Sequence, residues 1–230
     1  MCGRFAITSP RLKNTEATLK TVFPELQPHY NIAPSQNIPV IRVGADGYQL
    51  VFLRWGLIPH WSKDSHSDYS TINARAETVD EKPVYREAFR RRRCLIPATG
   101  FYEWQRNAGS GKPHPWYIHL KDQSDLSFAG VWEHWEKEDE VIESCSIIVT
   151  DANELVRPIH NRMPVILKPE DYSLWLDPAI TQAQTIKPLL QPYPAEEMAA
   201  WRVSTRVNNA RQEDPGLIEP LASGSNPSLF

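Results

Sequence analysis

The chain has 230 residues, 41% of them hydrophobic, and 25 Lys and Arg against 28 Asp and Glu give a formal net charge of −3. That size and apolar content suit one large domain or two small ones with a real core, and exclude wholesale disorder. Only three cysteines exclude a disulfide framework, and the balanced charge excludes a protein that holds nucleic acid by bulk electrostatics alone, though not one with a local basic groove.

In chain order, Ser9-Pro10 ahead of Leu12, Leu19, Val22 and Phe23 predicts a capped helix with proline in its first turn. The β-rich runs Ile38–Val43 and Tyr48–Trp55 flank Gly44-Ala-Asp-Gly47 and predict a hairpin. Residues 56–71 carry Gly, Pro, Trp and Ser without periodicity and predict a long loop of functional character. A short helix is expected over Pro83–Arg92. Strands are expected at Cys94–Ile96, Gly100–Arg106, Trp116–Leu120, Ser127–Trp132, Cys145–Thr150 and Met163–Leu167, with a flexible hairpin tip at 107–112. Pro169–Leu176, Thr181–Leu190 and Ala195–Ala200 read as helical, Val203–Asn208 as a last strand, and 222–230 as a frayed tail. Strand after strand with few helices between them predicts an α+β fold, with antiparallel sheets rolled into a pseudo-barrel and helices at the periphery. One domain over residues 1–221 is expected, because no linker or internal repeat divides the chain.

No run approaches the roughly 18 apolar residues of a membrane span, and Met1–Pro10 lacks the apolar core of a secretory signal. A cytoplasmic, reducing location is therefore expected. Charge is uneven: Arg75–Arg93 is strongly basic and Glu133–Glu143 strongly acidic. Such runs are usually solvated faces, and the alternative here is a bipolar surface with one side suited to phosphates.

The chemistry-bearing candidates are few. Initiator methionine is commonly removed before a small residue, which would leave Cys2 with its α-amine and thiol two carbons apart. Such a 1,2-aminothiol condenses with aldehydes to a five-membered thiazolidine, and its thiol also suits acyl transfer. Position alone favours an incidental cysteine behind the start codon. Glu103, in Gly100-Phe-Tyr-Glu-Trp104, is a carboxylate that aromatic neighbours would desolvate into a near-neutral acid or base, unless it faces solvent on an alternating strand. His160 has the natural pKa of a proton shuttle, or is structural. Asn31, before Ile-Ala-Pro34, offers an amide to an oxyanion, or makes an Asx-turn. The seven histidines have no HxH or HExxH spacing and the cysteines no CxxC, so no metal is expected. No glycine-rich phosphate loop is present, so no nucleotide cofactor is expected either. Cys94 and Cys145 sit in apolar strands and read as inert.

Six segments in order, Cys2-Gly-Arg-Phe5, Asn31-Ile-Ala-Pro34, Trp55-Gly-Leu-Ile-Pro-His-Trp61, Asn73-Ala-Arg-Ala-Glu-Thr78, Arg93 to Trp104 and His160-Asn-Arg-Met-Pro164, together resemble the SOS response-associated peptidase family of abasic-site processing proteins. The resemblance covers nearly the whole chain. It implies that Cys2, once Met1 is gone, cross-links to the ring-opened aldehyde of an abasic site in single-stranded DNA. Asn31, Glu103 and His160 would join it in the active site, and Arg4, Trp61, Asn73, Arg75 and Arg162 would face the DNA. The implied protein is a monomer without cofactor or membrane attachment, with protein partners possible at replication forks. An N-terminal-nucleophile peptidase or amidohydrolase and a plain single-strand binding module are the competing functions.

Overall fold

The computed structural model describes residues 2–65, 71–106 and 111–221. Along them run β1 (Arg4–Ile7), α1 (Lys13–Leu19), β2 (His29–Ile32), β3 (Asn37–Gly44), β4 (Gly47–Trp55), β5 (Asn73–Arg75), α2 (Arg86–Arg91), β6 (Arg93–Ala98), β7 (Gly100–Gln105), β8 (His114–Leu120), β9 (Leu126–Lys137), β10 (Glu140–Asp151), β11 (Arg162–Pro164), β12 (Ile166–Leu167), α3 (Tyr172–Leu176), α4 (Ala183–Ile186) and β13 (Met198–Arg202). One sheet has the order β11-β10-β4-β3-β6-β9-β12. Because β9 also pairs along β10, from Gly130 opposite Ile147 to Lys137 opposite Glu140, five of these strands close into a barrel. The second sheet, β13-β8-β7-β1-β2, is antiparallel throughout. The α+β pseudo-barrel with small outer helices is thus the observed architecture. It is not purely antiparallel, since β10 runs parallel to both β4 and β5.

Side-chain alternation along the second sheet decides how the two sheets meet. Phe5 of β1 packs edge-on against Trp55 and Phe128, with ring centroids 5.3 and 5.8 Å away, and Phe101 of β7 meets Phe128 at 6.1 Å. Ala6, Tyr102 and Tyr117 point the other way and are covered by Val203, Val207 and Leu217 from the C-terminal segment. Gly100 lets β7 and β8 approach: a Cβ there would lie 2.4 Å from Tyr117 Cζ and 2.7 Å from the Ile118 carbonyl. β1 and β7 are therefore clamped between the barrel and the C-terminal segment, which fixes the ends of both strands.

Several expectations are corrected. Ser9 does not cap the first helix, which begins at Lys13; Ser9 Oγ donates to the Arg11 carbonyl instead. The orphan helix N–H groups are met by a carboxylate 110 residues away, Asp125, which accepts from Asn14 N and Thr15 N at 2.8 and 3.0 Å and from Thr15 Oγ1 at 2.7 Å. The helix expected at 195–200 is one 3-10 turn, Ala195–Glu197, followed by β13, and the strand expected at 203–208 is the 3-10 turn Thr205–Asn208. The strands β1, β2 and β5 were not foreseen. Residues 107–110 of the expected hairpin tip, 66–70 of the long loop and the tail at 222–230 lie outside the described residues.

The basic run is not one surface. Arg93 is 5% exposed, and its five guanidinium hydrogens donate to the carbonyls of Trp175, Phe89, Arg90, Asp177 and Ile180 at 2.6–2.9 Å. Arg92 pairs with Glu133 at 2.9 Å and Arg91 with Glu87 at 2.9 Å. No helix among the described residues is long and apolar enough to cross a membrane, and no group of three or more His, Cys, Asp or Glu among them could hold a metal ion.

Candidate active site

The N-terminus enters β1 at the seam between the two sheets. Cys2 is fully buried in the main core. Its carbonyl accepts from Asn73 Nδ2 at 2.8 Å, so β5, held parallel to β10 with Asn73 opposite Ile147, positions the residue that carries the thiol. Burial, reinforced by the Glu103 carboxylate, pushes the thiol well above its ordinary range. Asn73 is itself buried, and its Oδ1 has no hydrogen-bond partner among the described residues.

Glu103 sits on β7 next to the residue paired with Arg4. Only 2% of it is exposed, and desolvation lifts its carboxyl to about 7. His160 Nδ1 lies 3.9 Å from Glu103 Oε1. The same Nδ1 lies 3.0 Å from the Arg162 backbone nitrogen and 3.2 Å from the Arg162 carbonyl oxygen, so the tautomer sets whether it accepts or donates there. Burial, with the Arg106 charge among the lesser causes, holds His160 below the usual histidine range. Near neutrality the pair therefore consists of a carboxyl close to half-protonated and a neutral imidazole. Beside them opens a cleft of about 690 Å³, lined by Glu103, Trp104, Arg106, Arg157 and His160 among others.

The structure brings Cys2, Asn73, Glu103 and His160 together, but not Asn31. Asn31 is fully buried under the C-terminal segment. Its Nδ2 donates to the carbonyls of Val207, Asn209 and Gln212 at 3.0–3.3 Å, and its Oδ1 accepts from Arg4 Nη1 at 2.8 Å. With both amide hydrogens committed, it has no donor left for an oxyanion. Arg4 is held in the same cluster and also donates to the Val207 and Asn208 carbonyls, at 2.8 and 3.4 Å. Arg162 is paired with Glu77 and lies 3.4 Å from Asp151 Oδ1. Desolvation alone would raise Glu77, but its hydrogen bond to Arg162 and the charges of Arg162 and Arg75 outweigh that and hold it low. Arg75 is exposed on β5. Trp61 is 57% exposed on a loop pinned to the barrel by Trp135 Nε1 donating to the Ser62 carbonyl at 3.0 Å and Ile58 N donating to Ser144 Oγ at 2.8 Å. Arg106 and Arg157 were missed from sequence. Their one signal was proximity, three residues after Glu103 and three before His160.

A family model, SOS response associated peptidase, matches residues 1–210. The chain is 44% identical over 223 residues to the abasic site processing protein YoqW of Bacillus subtilis, covering 95% of this chain and 99% of that one. It is 34% identical over 221 residues to the abasic site processing protein HMCES of Xenopus tropicalis, covering 82% of this chain and 65% of the longer relative. A crystal structure of a protein from Bacteroides thetaiotaomicron superposes with a TM-score of 0.80 at 28% identity, over 96% of this chain and all of that one. A family match across nine-tenths of the chain, joined by a curated relative over nearly its full length, places this protein in the SOS response-associated peptidase family.

Proposed function

We propose that this protein processes abasic sites in single-stranded DNA by forming a thiazolidine cross-link through Cys2 once Met1 has been removed. The observation that carries the reading is the placement of Cys2 against Asn73 and Glu103, with His160 3.9 Å from Glu103 and both lining the cleft. An abasic deoxyribose is mostly a closed hemiacetal, so ring opening needs an acid and a base. Glu103 and His160 both line the cleft in which the hemiacetal oxygen would lie. The Cys2 amine then attacks C1′, the protonated Glu103 carboxyl gives its proton to the departing oxygen, and an imine and one water result. The thiol adds across the C=N bond: sulfur bonds to C1′ and the S–H proton passes by way of Glu103 or His160 to the nitrogen. Net, the adduct is protein plus DNA less one water. Because a bare imine acidifies C2′ and invites β-elimination, closure of the ring preserves the strand.

A buried thiol kept protonated is a poor first nucleophile, so the amine attacks first and the thiol, tethered two carbons away, closes on the imine. In this reading Asn73, not Asn31, is the amide that orients Cys2, and the relatives' names agree with the substrate.

Intact mass spectrometry with an abasic oligonucleotide tests it. The expected species has lost Met1 and gained the oligonucleotide less one water, and survives heat and detergent. Cys2→Ala is expected to give no stable adduct and to cut the strand slowly through its remaining α-amine. A protein with a free N-terminal cysteine that gives no adduct would sink the proposal.

A further inference from the structure

The cleft beside Glu103 and His160 carries two cations that the condensation chemistry does not use. Arg106 follows the end of β7 and Arg157 stands on the turn between β10 and β11, both exposed and both lining the cleft. Their carriers are tied together: Gln105 Nε2 donates to the Pro158 carbonyl at 3.0 Å, linking the residue before Arg106 to the residue after Arg157. The turn is braced by Arg157 N donating to the Asn153 carbonyl and Val156 N donating to Asn153 Oδ1, each at 2.9 Å. Arg157 gives one hydrogen bond inward, to the Ala152 carbonyl at 3.3 Å, which leaves guanidinium donors for a ligand. Among the residues lining the cleft the one carboxylate is Glu103. A concavity lined by two guanidinium groups and an acid–base pair suits an anion joined to a reacting sugar.

We propose that Arg106 and Arg157 form a phosphodiester clamp, each holding one of the two backbone phosphates that flank the abasic deoxyribose, so that its C1′ lies over Glu103 and His160. The inference rests on the cross-linking reading for the identity of the sugar. The clamp reads backbone and not bases, so it gives no sequence preference.

Fluorescence anisotropy with a single-stranded oligonucleotide carrying a tetrahydrofuran residue, which has the sugar and phosphates but no aldehyde, tests the clamp apart from the chemistry. Arg106→Ala/Arg157→Ala is expected to bind more weakly and to flatten the plot of log K against log salt by about 1.4, at about 0.7 per lost phosphate contact on single strands. Arg106→Lys/Arg157→Lys should recover the slope, and thermal unfolding should match wild type in both. An alanine variant with wild-type affinity and slope, or a wild-type protein that does not bind this oligonucleotide, overturns the clamp. A wild-type protein that binds with the arginine-dependent slope yet forms no adduct with a reactive abasic oligonucleotide supports the clamp and refutes the cross-linking chemistry.

Discussion

Glu103 shows how strand position sets the chemistry of one carboxyl. On β7 the alternation sends Phe101 toward the barrel and Tyr102 toward the C-terminal segment, so Glu103 follows Phe101 inward and loses its water. A carboxyl lifted to about 7 in the folded chain, against an unfolded value near 4.3, disfavours folding wherever it must ionise. Its neutral form is fully compatible with the fold below about pH 4, and stability is lost as pH rises through 7. Glu103→Gln removes that loss. The variant is expected to melt higher than wild type at pH 8 and equally near pH 3.5, each kcal/mol being about 2–4 °C for a chain of this size. In the proposed reaction it should slow adduct formation by about 10²-fold or more and abolish the falling limb of the pH–rate profile near 7. A variant that melts lower than wild type at pH 8 would show that Glu103 is held as a stabilising anion instead. The sequence already singled out Glu103 and His160, which the fold brings within 3.9 Å of each other, because aromatic flanks and an imidazole are local signals. It misplaced the amide. Whether Asn31 or Asn73 meets Cys2 depends on which strand lies beside the N-terminus, and a three-residue strand such as β5 leaves no periodic trace.

At the level of elements, long alternating runs were legible and short or borrowed ones were not. The β3–β4 hairpin and the strands β6 to β10 stand out by their β-branched and aromatic runs. Met198–Arg202 is made of good helix formers, yet it pairs with β8 from Met198 opposite Leu120 to Arg202 opposite Trp116; the open edge of the second sheet outweighs propensity. The first helix is capped by Asp125, which no local rule could supply. Arg93 is the sharpest case, because a charge run predicts solvent and this member is a buried fastener joining α2 to α3 and to the turn after it. Arg93→Ala orphans five carbonyls and is expected to lower stability by about 3 kcal/mol or more in urea unfolding, with an unchanged m-value. Arg93→Lys, with three donors on a point charge, should recover only part of it. Since Arg93 lies away from the cleft, adduct formation well below the melting temperature should be unaffected. A loss under 1 kcal/mol would mean that water replaces the guanidinium at these carbonyls.

For the molecule as a whole, a net charge of −3 gives no long-range attraction to DNA, so the grip must come from the cations left available around the seam. Three of the seven cations of the basic run are unavailable, Arg93 being inside the core and Arg92 and Arg91 facing carboxylates, and Arg4, outside the run, is bound to backbone carbonyls. Lys82, Arg86 and Arg90 are exposed on and just before α2, whereas beside the candidate site the exposed cations are Arg75, Arg106 and Arg157, with Arg162 able to join only by exchanging Glu77 and Asp151 for phosphate. Three or four phosphate contacts at about 0.7 each predict a slope of log K against log salt between about −2 and −3 for single-stranded DNA, whereas the seven Lys and Arg of residues 75–93 acting together would give about −5. Binding to undamaged strands should accordingly be weak and quickly reversible, with retention at an abasic site supplied by the proposed covalent bond. Anisotropy titrations of wild type between about 50 and 200 mM salt separate the two: a slope near −5 would move the DNA path from the cleft onto the α2 face, and a slope near −2.5 keeps it at the seam, where the N-terminal cysteine lies.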